Sequence, residues 1–434
     1  MGATGAVPLA GCSSSDTETP AGGDETASEP TQTPPRTNNQ EYTETEPTPD
    51  SGQETDTGSP ATEGPVDGSH TYLGAPTRSG YYPDEAPLAG KPAPQDEWGD
   101  PVDSIAGWWS PNGTELDAPP AVVDGTLYFG DVNRRSSKIY AVDAATGTVN
   151  WSVKASFNIE SSPTVAGGVV YVGCRNRRIY ARDAADGSEV WTKRTGSVVV
   201  TSPVVEDGTL YIAGWRSGGL VYALDATDGT EQWRTQVPGT VSLSVAVANG
   251  LVYVASQDGY LRALDATDGS EVWQFKTADY VSTAPTVRDG TVYIGSGDSG
   301  RGENELYALD AATGEERWRF RTGPAASSPA VTDETVYVGS GTTLRALDAA
   351  DGSERWATSF QQSIADAPPV IVDDTLYAEG QRDLGSLYAV DARQGDKQWR
   401  LTLRTPITAA PVMLDGVGFL ATQSGLLKVR TPSQ

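Results

Sequence analysis

Residues able to do chemistry are scarce in this chain, and their scarcity sets the first limits. One histidine, His70, stands among 434 residues, so a histidine-based triad or metal centre has no second partner. Two cysteines, Cys12 and Cys174, exclude a disulfide framework and a cysteine-rich zinc site. Cys174 is flanked by Arg175, Arg177 and Arg178, which would lower a thiol's pKa, but Ser256, Ser296 and Ser340 fill comparable positions. A small buried side chain is therefore the expected role of Cys174. Asp298, Glu303 and Glu305 lie in GSGDSGRGENE at 295–305. Their spacing is not that of an EF-hand calcium loop, and a solvated loop is expected. Two features point to something specific. Leu9-Ala10-Gly11-Cys12 has the form of a lipobox, which makes Cys12 a candidate for lipidation. Arg134, Arg135, Arg175, Arg177, Arg178 and Arg216 gather in three short segments, with Trp215 beside the last.

Those segments must be positioned by a repeated scaffold. Asp-Ala-x-x-Gly-x-x-x-Trp recurs seven times, from Asp143–Trp151, through Asp183–Trp191, Asp225–Trp233, Asp265–Trp273, Asp310–Trp318 and Asp348–Trp356, to Asp391–Trp399. A period of about forty residues with several short strands per unit is the signature of a β-propeller. In the second unit, SSPTVAGGVVYVGC alternates and turns at Gly167-Gly168, which predicts two strands and a hairpin. RIYARD predicts a third strand, DAADG a turn, and SEVWTKR a fourth.

The fold expected is all-β: an eight-bladed propeller of four-stranded antiparallel blades, with seven blades as the alternative. After Trp399 there is sequence for three more strands. Trp108 lies as far ahead of Pro120 as Trp151 lies ahead of Pro163, so 107–109 is expected to close the ring as an outer strand. Trp108, Trp151, Trp191, Trp233, Trp273, Trp318, Trp356 and Trp399 are then blade-docking residues rather than a binding set. A ring of this size recurring at one spacing serves packing between blades.

Ahead of the propeller, 1–12 read as the remnant of a signal with its lipobox. Residues 13–68 hold 13 acidic residues against Arg36 and one aromatic, Tyr42. That composition predicts a disordered linker, and 69–106 an extended lead-in to a propeller spanning 107–430. With the lipobox, this suits an extracytoplasmic protein anchored to the cell surface by lipid alone. No apolar run is long enough for a transmembrane helix. The formal net charge of -27 excludes nucleic acid as a general partner. Many carboxylates with only 7 lysines resemble proteins adapted to high salt.

The pattern SxPxVxxGxVYVGSxDGxLYALDAxTGxxxW over about 117–430 resembles the PQQ-like (pyrroloquinoline quinone) β-propeller repeat family. Thr77-Arg78-Ser79-Gly80-Tyr81-Tyr82-Pro83 resembles the lead-in of lipoprotein-type members from halophilic archaea. The resemblance implies a propeller of the quinoprotein-like superfamily. It admits two kinds of function, since members include quinoprotein dehydrogenases and the propeller lipoprotein of outer-membrane β-barrel assembly. A dehydrogenase would need PQQ with calcium, a catalytic Asp, an adjacent cysteine pair and long covering insertions. This sequence has no adjacent cysteines and no long insertion, and no position matches the catalytic Asp. The expectation is therefore a non-catalytic scaffold without a cofactor. The quinone-dependent dehydrogenase and a ligand-sensing domain for a membrane partner are the alternatives.

In a four-stranded blade the second-to-third loops and the blade-to-blade crossovers share one face. In blades 1 to 3 those loops carry Arg134, Arg135, Lys138, Arg175, Arg177, Arg178 and Arg216 against Asp131, net +6 on an acidic body. The expectation is a docking sector for a protein or anionic ligand, with Trp215 as an aromatic anchor, on a monomeric protein.

Overall fold

The computed structural model describes residues 81–82, 115–133, 136–215, 218–297, 304–323, 326–365, 367–380, 384–414 and 416–430. They all belong to the second of two compact units, 63–434. Cys12, Trp108, Arg134, Arg135, Arg216, the acidic linker and the closing segment 107–109 lie outside the described residues.

The regular structure described is entirely strand, arranged in eight sheets. Blade 1 runs Ala121–Val123, Thr126–Gly130, Lys138–Asp143 and Val149–Lys154 from inside to outside. Blade 2 runs Thr164–Ala166, Val169–Cys174, Arg178–Asp183 and Glu189–Arg194. Blades 3 to 7 begin at Val204, Ala246, Thr286, Ala330 and Val370 and repeat this order. Blade 8 contributes Val412–Leu414, Val417–Thr422 and Gly425–Arg430. The expectation of eight antiparallel blades is met.

Local chemistry makes each blade. The first hairpin turns on Asp124-Gly125, Gly167-Gly168, Asp207-Gly208, Asn249-Gly250 and Asp289-Gly290, with both residues at positive φ, from 46° to 75°. This is the turn whose twist matches a two-residue β-hairpin. The second turn is the Asp-Ala-x-x-Gly motif. Asp143 Oδ1 accepts from the N–H groups of Ala145 and Thr146 at 3.1 and 2.7 Å, and the Gly147 N–H closes the turn on the Asp143 carbonyl at 2.9 Å.

The core is not central. It is divided into eight apolar clusters, each joining two neighbouring blades. The motif tryptophan is the wedge at most of these junctions. Trp151 Nε1 donates to the Ala184 carbonyl of blade 2 at 2.9 Å, and Trp191, Trp233, Trp273, Trp318 and Trp356 do the same one blade further on, at 2.8–3.0 Å. Removing such a ring from a core costs about 3–5 kcal/mol. Trp399 packs among Leu401, Met413, Leu420 and Val429.

Blade 8 meets blade 1 through Leu116, Leu127 and Phe129 against Val412, Phe419 and Leu426. At this seam the Ala144 carbonyl accepts from Lys428 Nζ at 2.7 Å. One pairing has no counterpart in the repeat: Tyr81–Tyr82 lies parallel to Ile371 and Val372 on the inner edge of blade 7, making that sheet five-stranded.

Candidate docking surface

The third strand of each blade starts at the second-to-third loop, and the fourth strand ends beside it. Whatever residues the repeat puts at these two points therefore face each other. In blade 1 they are Lys138 and Lys154; in blade 2 they are Arg178 and Arg194. Elsewhere the same position pairs Gly219 with Val237, Tyr260 with Lys276, Glu305 with Arg321, Thr343 with Ser359, and Ser386 with Thr402. Among the described residues, only blades 1 and 2 oppose cation to cation. Directly opposed side chains have Cβ atoms about 5 Å apart, so each pair costs up to ~1 kcal/mol in water. Lys154, Arg178 and Arg194 are exposed, and among the described residues none of them has an ion-pair partner. Asp131, the acid in these loops, is turned inward. It is buried and accepts from the Lys138 N–H at 2.7 Å and the Tyr140 hydroxyl at 3.2 Å. Burial raises its carboxyl above the ordinary range.

Arg177 sits between the loop and the third strand of blade 2 at φ 67°. At the matching place in blade 4 the chain has Gly259, at φ 85°. Glycine takes this conformation without steric cost, and a side chain there costs about 1 kcal/mol. The turn is otherwise regular: Arg177 N–H donates to the Cys174 carbonyl at 3.1 Å, and the Thr195 N–H donates to the Arg177 carbonyl at 2.8 Å.

Arg175 departs from the expectation of a free basic side chain. Its Nη1 donates to both carboxylate oxygens of Glu160, at 2.7 and 3.0 Å, and its guanidinium lies 5.8 Å from the Trp215 ring centre. Trp215 is 39% exposed, so it remains open to a partner. Glu160 also brings an acidic neighbourhood. Asp117 is pushed up to about 6, first by loss of solvent around its carboxyl, although the residue as a whole is exposed, then by Glu115 and Glu160; Arg175 opposes the shift. The cationic surface therefore runs through Arg177, Arg178, Arg194, Lys138 and Lys154, while Arg175 belongs to a carboxylate cluster beside it. Lys154 and Arg194 were visible in the sequence, but their pairing with Lys138 and Arg178 required the strand register.

Cys174 is fully buried, with Sγ 3.4 and 3.5 Å from the carbonyls of Phe157 and Asn158. Burial pushes its thiol up to about 11, outweighing the nearby arginine. Glu305 accepts from the Tyr307 hydroxyl at 2.6 Å, while Asp298 and Glu303 lie outside the described residues. Among the described residues no three His, Cys, Asp or Glu side chains are placed to hold a metal ion.

Solved structures share the fold. The quinohemoprotein alcohol dehydrogenase from Comamonas testosteroni is 15% identical with a TM-score of 0.64, covering 84% of this chain and 81% of its own. BamB from Moraxella catarrhalis is 18% identical with a TM-score of 0.58, covering 72% and 96%. The computationally designed Ika8 protein is 13% identical with a TM-score of 0.62, covering 74% and 97%. No curated protein sequence matches the chain. The sequence profile described as outer membrane protein assembly factor BamB matches three overlapping stretches, 98–214, 175–301 and 257–431. On that match, over most of its length, the chain belongs to the family of PQQ-like β-propeller repeats to which that description is attached.

Proposed function

We propose that this protein is a non-catalytic docking propeller. It acts outside the cytoplasm, held at the cell surface through a lipid on Cys12, and takes an acidic segment of a partner protein against blades 1 and 2. The observation that carries this reading is the opposition of Lys138 to Lys154 and of Arg178 to Arg194. Four cations held in two unfavourable pairs are relieved when a partner supplies carboxylates, and guanidinium groups can take a carboxylate through two hydrogen bonds. The left-handed Arg177 supports the same reading, because strain tends to be kept where a side chain is used. So does the family, whose description names an assembly factor.

The dehydrogenase fold neighbours raise quinone chemistry with calcium. The described side chains do not fit it. The nearest carboxylate group, Glu115, Asp117 and Glu160, has Glu160 held by Arg175 through both oxygens and Asp117 resisting ionisation. No oxidation step is derived from this chain.

The test is binding of a fluorescent deca-glutamate peptide to the full chain over a salt series, with deca-glutamine as control. Binding is expected to weaken with salt, as for exposed charges, and to fall at least ~10-fold in the double variant Arg178→Glu, Arg194→Glu. Arg393→Glu, on the opposite face, should leave it unchanged. Equal affinity in the double variant and the parent refutes the docking site.

A further inference from the structure

The repeat carries a second departure, on the outer strand of blade 7. Two residues before the motif tryptophan, blades 2 to 6 have Glu189, Glu231, Glu271, Glu316 and Glu354; blade 7 has Lys397. One residue after the tryptophan, blades 3, 5 and 7 have Arg234, Arg319 and Arg400. In blade 5 these two positions neutralise each other. Arg319 Nε and Nη2 reach Glu316 Oε1 and Oε2, both at 2.7 Å, with the guanidinium 5.5 Å from the Tyr307 ring centre. In blade 3, Arg234 Nε lies 3.6 Å from Glu231.

Blade 7 keeps the arginine and the aromatic floor but reverses the other charge. Arg400 lies 5.5 Å from the Tyr388 ring centre, as its counterpart does, yet among the described residues its Nε and Nη2 donate only to the Ser386 hydroxyl, at 3.2 and 3.0 Å. Lys397 Nζ donates to the Ser359 carbonyl at 2.6 Å and lies 4.6 Å from the Phe360 ring centre. Phe360 and Tyr388 meet edge to face at 4.7 Å, both buried, just as Phe275 and Tyr307 meet at 5.3 Å in the blade 4–5 junction. The carboxylate present in blade 5 is missing, and a cavity of about 300 Å³ opens, lined by Phe360, Gln361, Tyr388, Lys397 and Arg400. Among the described residues no carboxylate lines it. Two cations above an aromatic floor suit an anion with an apolar body, and the volume is at the lower end of small-molecule sites.

We propose that this cavity between blades 6 and 7 binds a small organic carboxylate, whose charge takes the place that Glu316 fills in blade 5. The proposal is independent of the docking surface on blades 1 and 2.

Calorimetric titration of the full chain with benzoate tests it, with benzyl alcohol as the neutral counterpart. Benzoate is expected to saturate at one per chain with a Kd on the order of 1 mM, and benzyl alcohol to bind at least ~10-fold more weakly. Lys397→Glu should refill the site from within, as blade 5 does. Benzoate affinity then falls at least ~10-fold while the urea midpoint is kept or raised. Arg319 in blade 5 also lies 3.5 Å from Glu305, where blade 7 has Ser386, so the double variant Glu305→Ser, Glu316→Lys should open the equivalent site and bring the stoichiometry to two. Three results would overturn the proposal: no benzoate binding by the parent, equal binding of benzyl alcohol, or benzoate affinity unchanged in Lys397→Glu. If Arg400→Gln loses binding with an unaltered urea midpoint, the guanidinium is confirmed as the anchor.

Discussion

Two glycines of blade 4 separate backbone strain from packing, and so test how the ring is held. Gly250 and Gly269 have nearly the same backbone conformation, φ 75° and 72°. A Cβ at Gly250 would meet nothing within 4 Å. A Cβ at Gly269 would stand 2.5 and 2.7 Å from atoms of the Trp233 ring and 2.6 Å from Thr235 Oγ1. Gly250→Ala therefore meets the left-handed cost alone, about 1 kcal/mol. Gly269→Ala meets the same cost and must also displace an indole that bonds the Ala266 carbonyl at 2.8 Å. Overpacking adds about 1–3 kcal/mol and loss of that hydrogen bond about 1, so the expected total is about 3–5 kcal/mol. Urea unfolding of both variants, read by tryptophan emission with the slope held common, measures the difference. A gap of at least 2 kcal/mol is expected. Equal destabilisation would mean that the indole yields without cost, and the account of the tryptophan as a rigid wedge between blades would fail.

Further outcomes follow from the same geometry. Cys174 should resist a thiol reagent at pH 8 in the folded chain and react at once after unfolding, because a thiol near pKa 11 is only ~0.1% thiolate there; rapid reaction of the native protein would contradict its burial. Asp117 holds its proton more tightly folded than unfolded, so its contribution to stability falls as pH rises from about 4 through about 6. After discounting for solvent screening, Asp117→Asn should add about 1 kcal/mol at pH 8 and nothing at pH 4, measured by thermal melts across pH. Arg177→Gly should relieve the left-handed strain and raise stability by about 1 kcal/mol, while deca-glutamate binding weakens; a gain in both would remove the functional reason for the strain.

The fold was legible because its determinants repeat. Asp-Ala-x-x-Gly-x-x-x-Trp encodes three contacts: the Asp forms the turn, the Gly leaves room for the preceding blade's indole, and the Trp reaches the next blade's Ala carbonyl. The site was less legible, because sequence counts charges without pairing them. Arg175 reads as part of a basic run, yet Glu160, 15 residues earlier in the crossover that enters blade 2, neutralises it. Lys138 reads as one cation of a basic sector, and only the register sets Lys154 directly opposite it. The pairing of Tyr81–Tyr82 with blade 7 left no signal, since the interaction is backbone to backbone and independent of side-chain type.

A repeat protein supplies its own reference state, and here that reference carries the functional argument. Where every blade obeys one rule, the residue belongs to architecture, as with the indoles that bond the next blade's alanine. Where one blade breaks the rule at a cost and no compensating contact appears nearby, packing does not explain the choice. Arg177 replaces a glycine suited to its φ, and Arg178 faces Arg194 where blade 5 pairs Glu305 with Arg321. Lys397 likewise replaces a glutamate that would neutralise Arg400. Local choices that contradict an otherwise consistent design tend to mark sites of use. Among the described residues, all of these exceptions leave positive charge unmatched by a carboxylate, on a chain of net charge -27. Random drift on so acidic a surface would more readily add carboxylates than strand cations opposite one another. Selection for anionic ligands at two separate places, one a broad surface and one a small open cavity, accounts for both exceptions with the same chemistry.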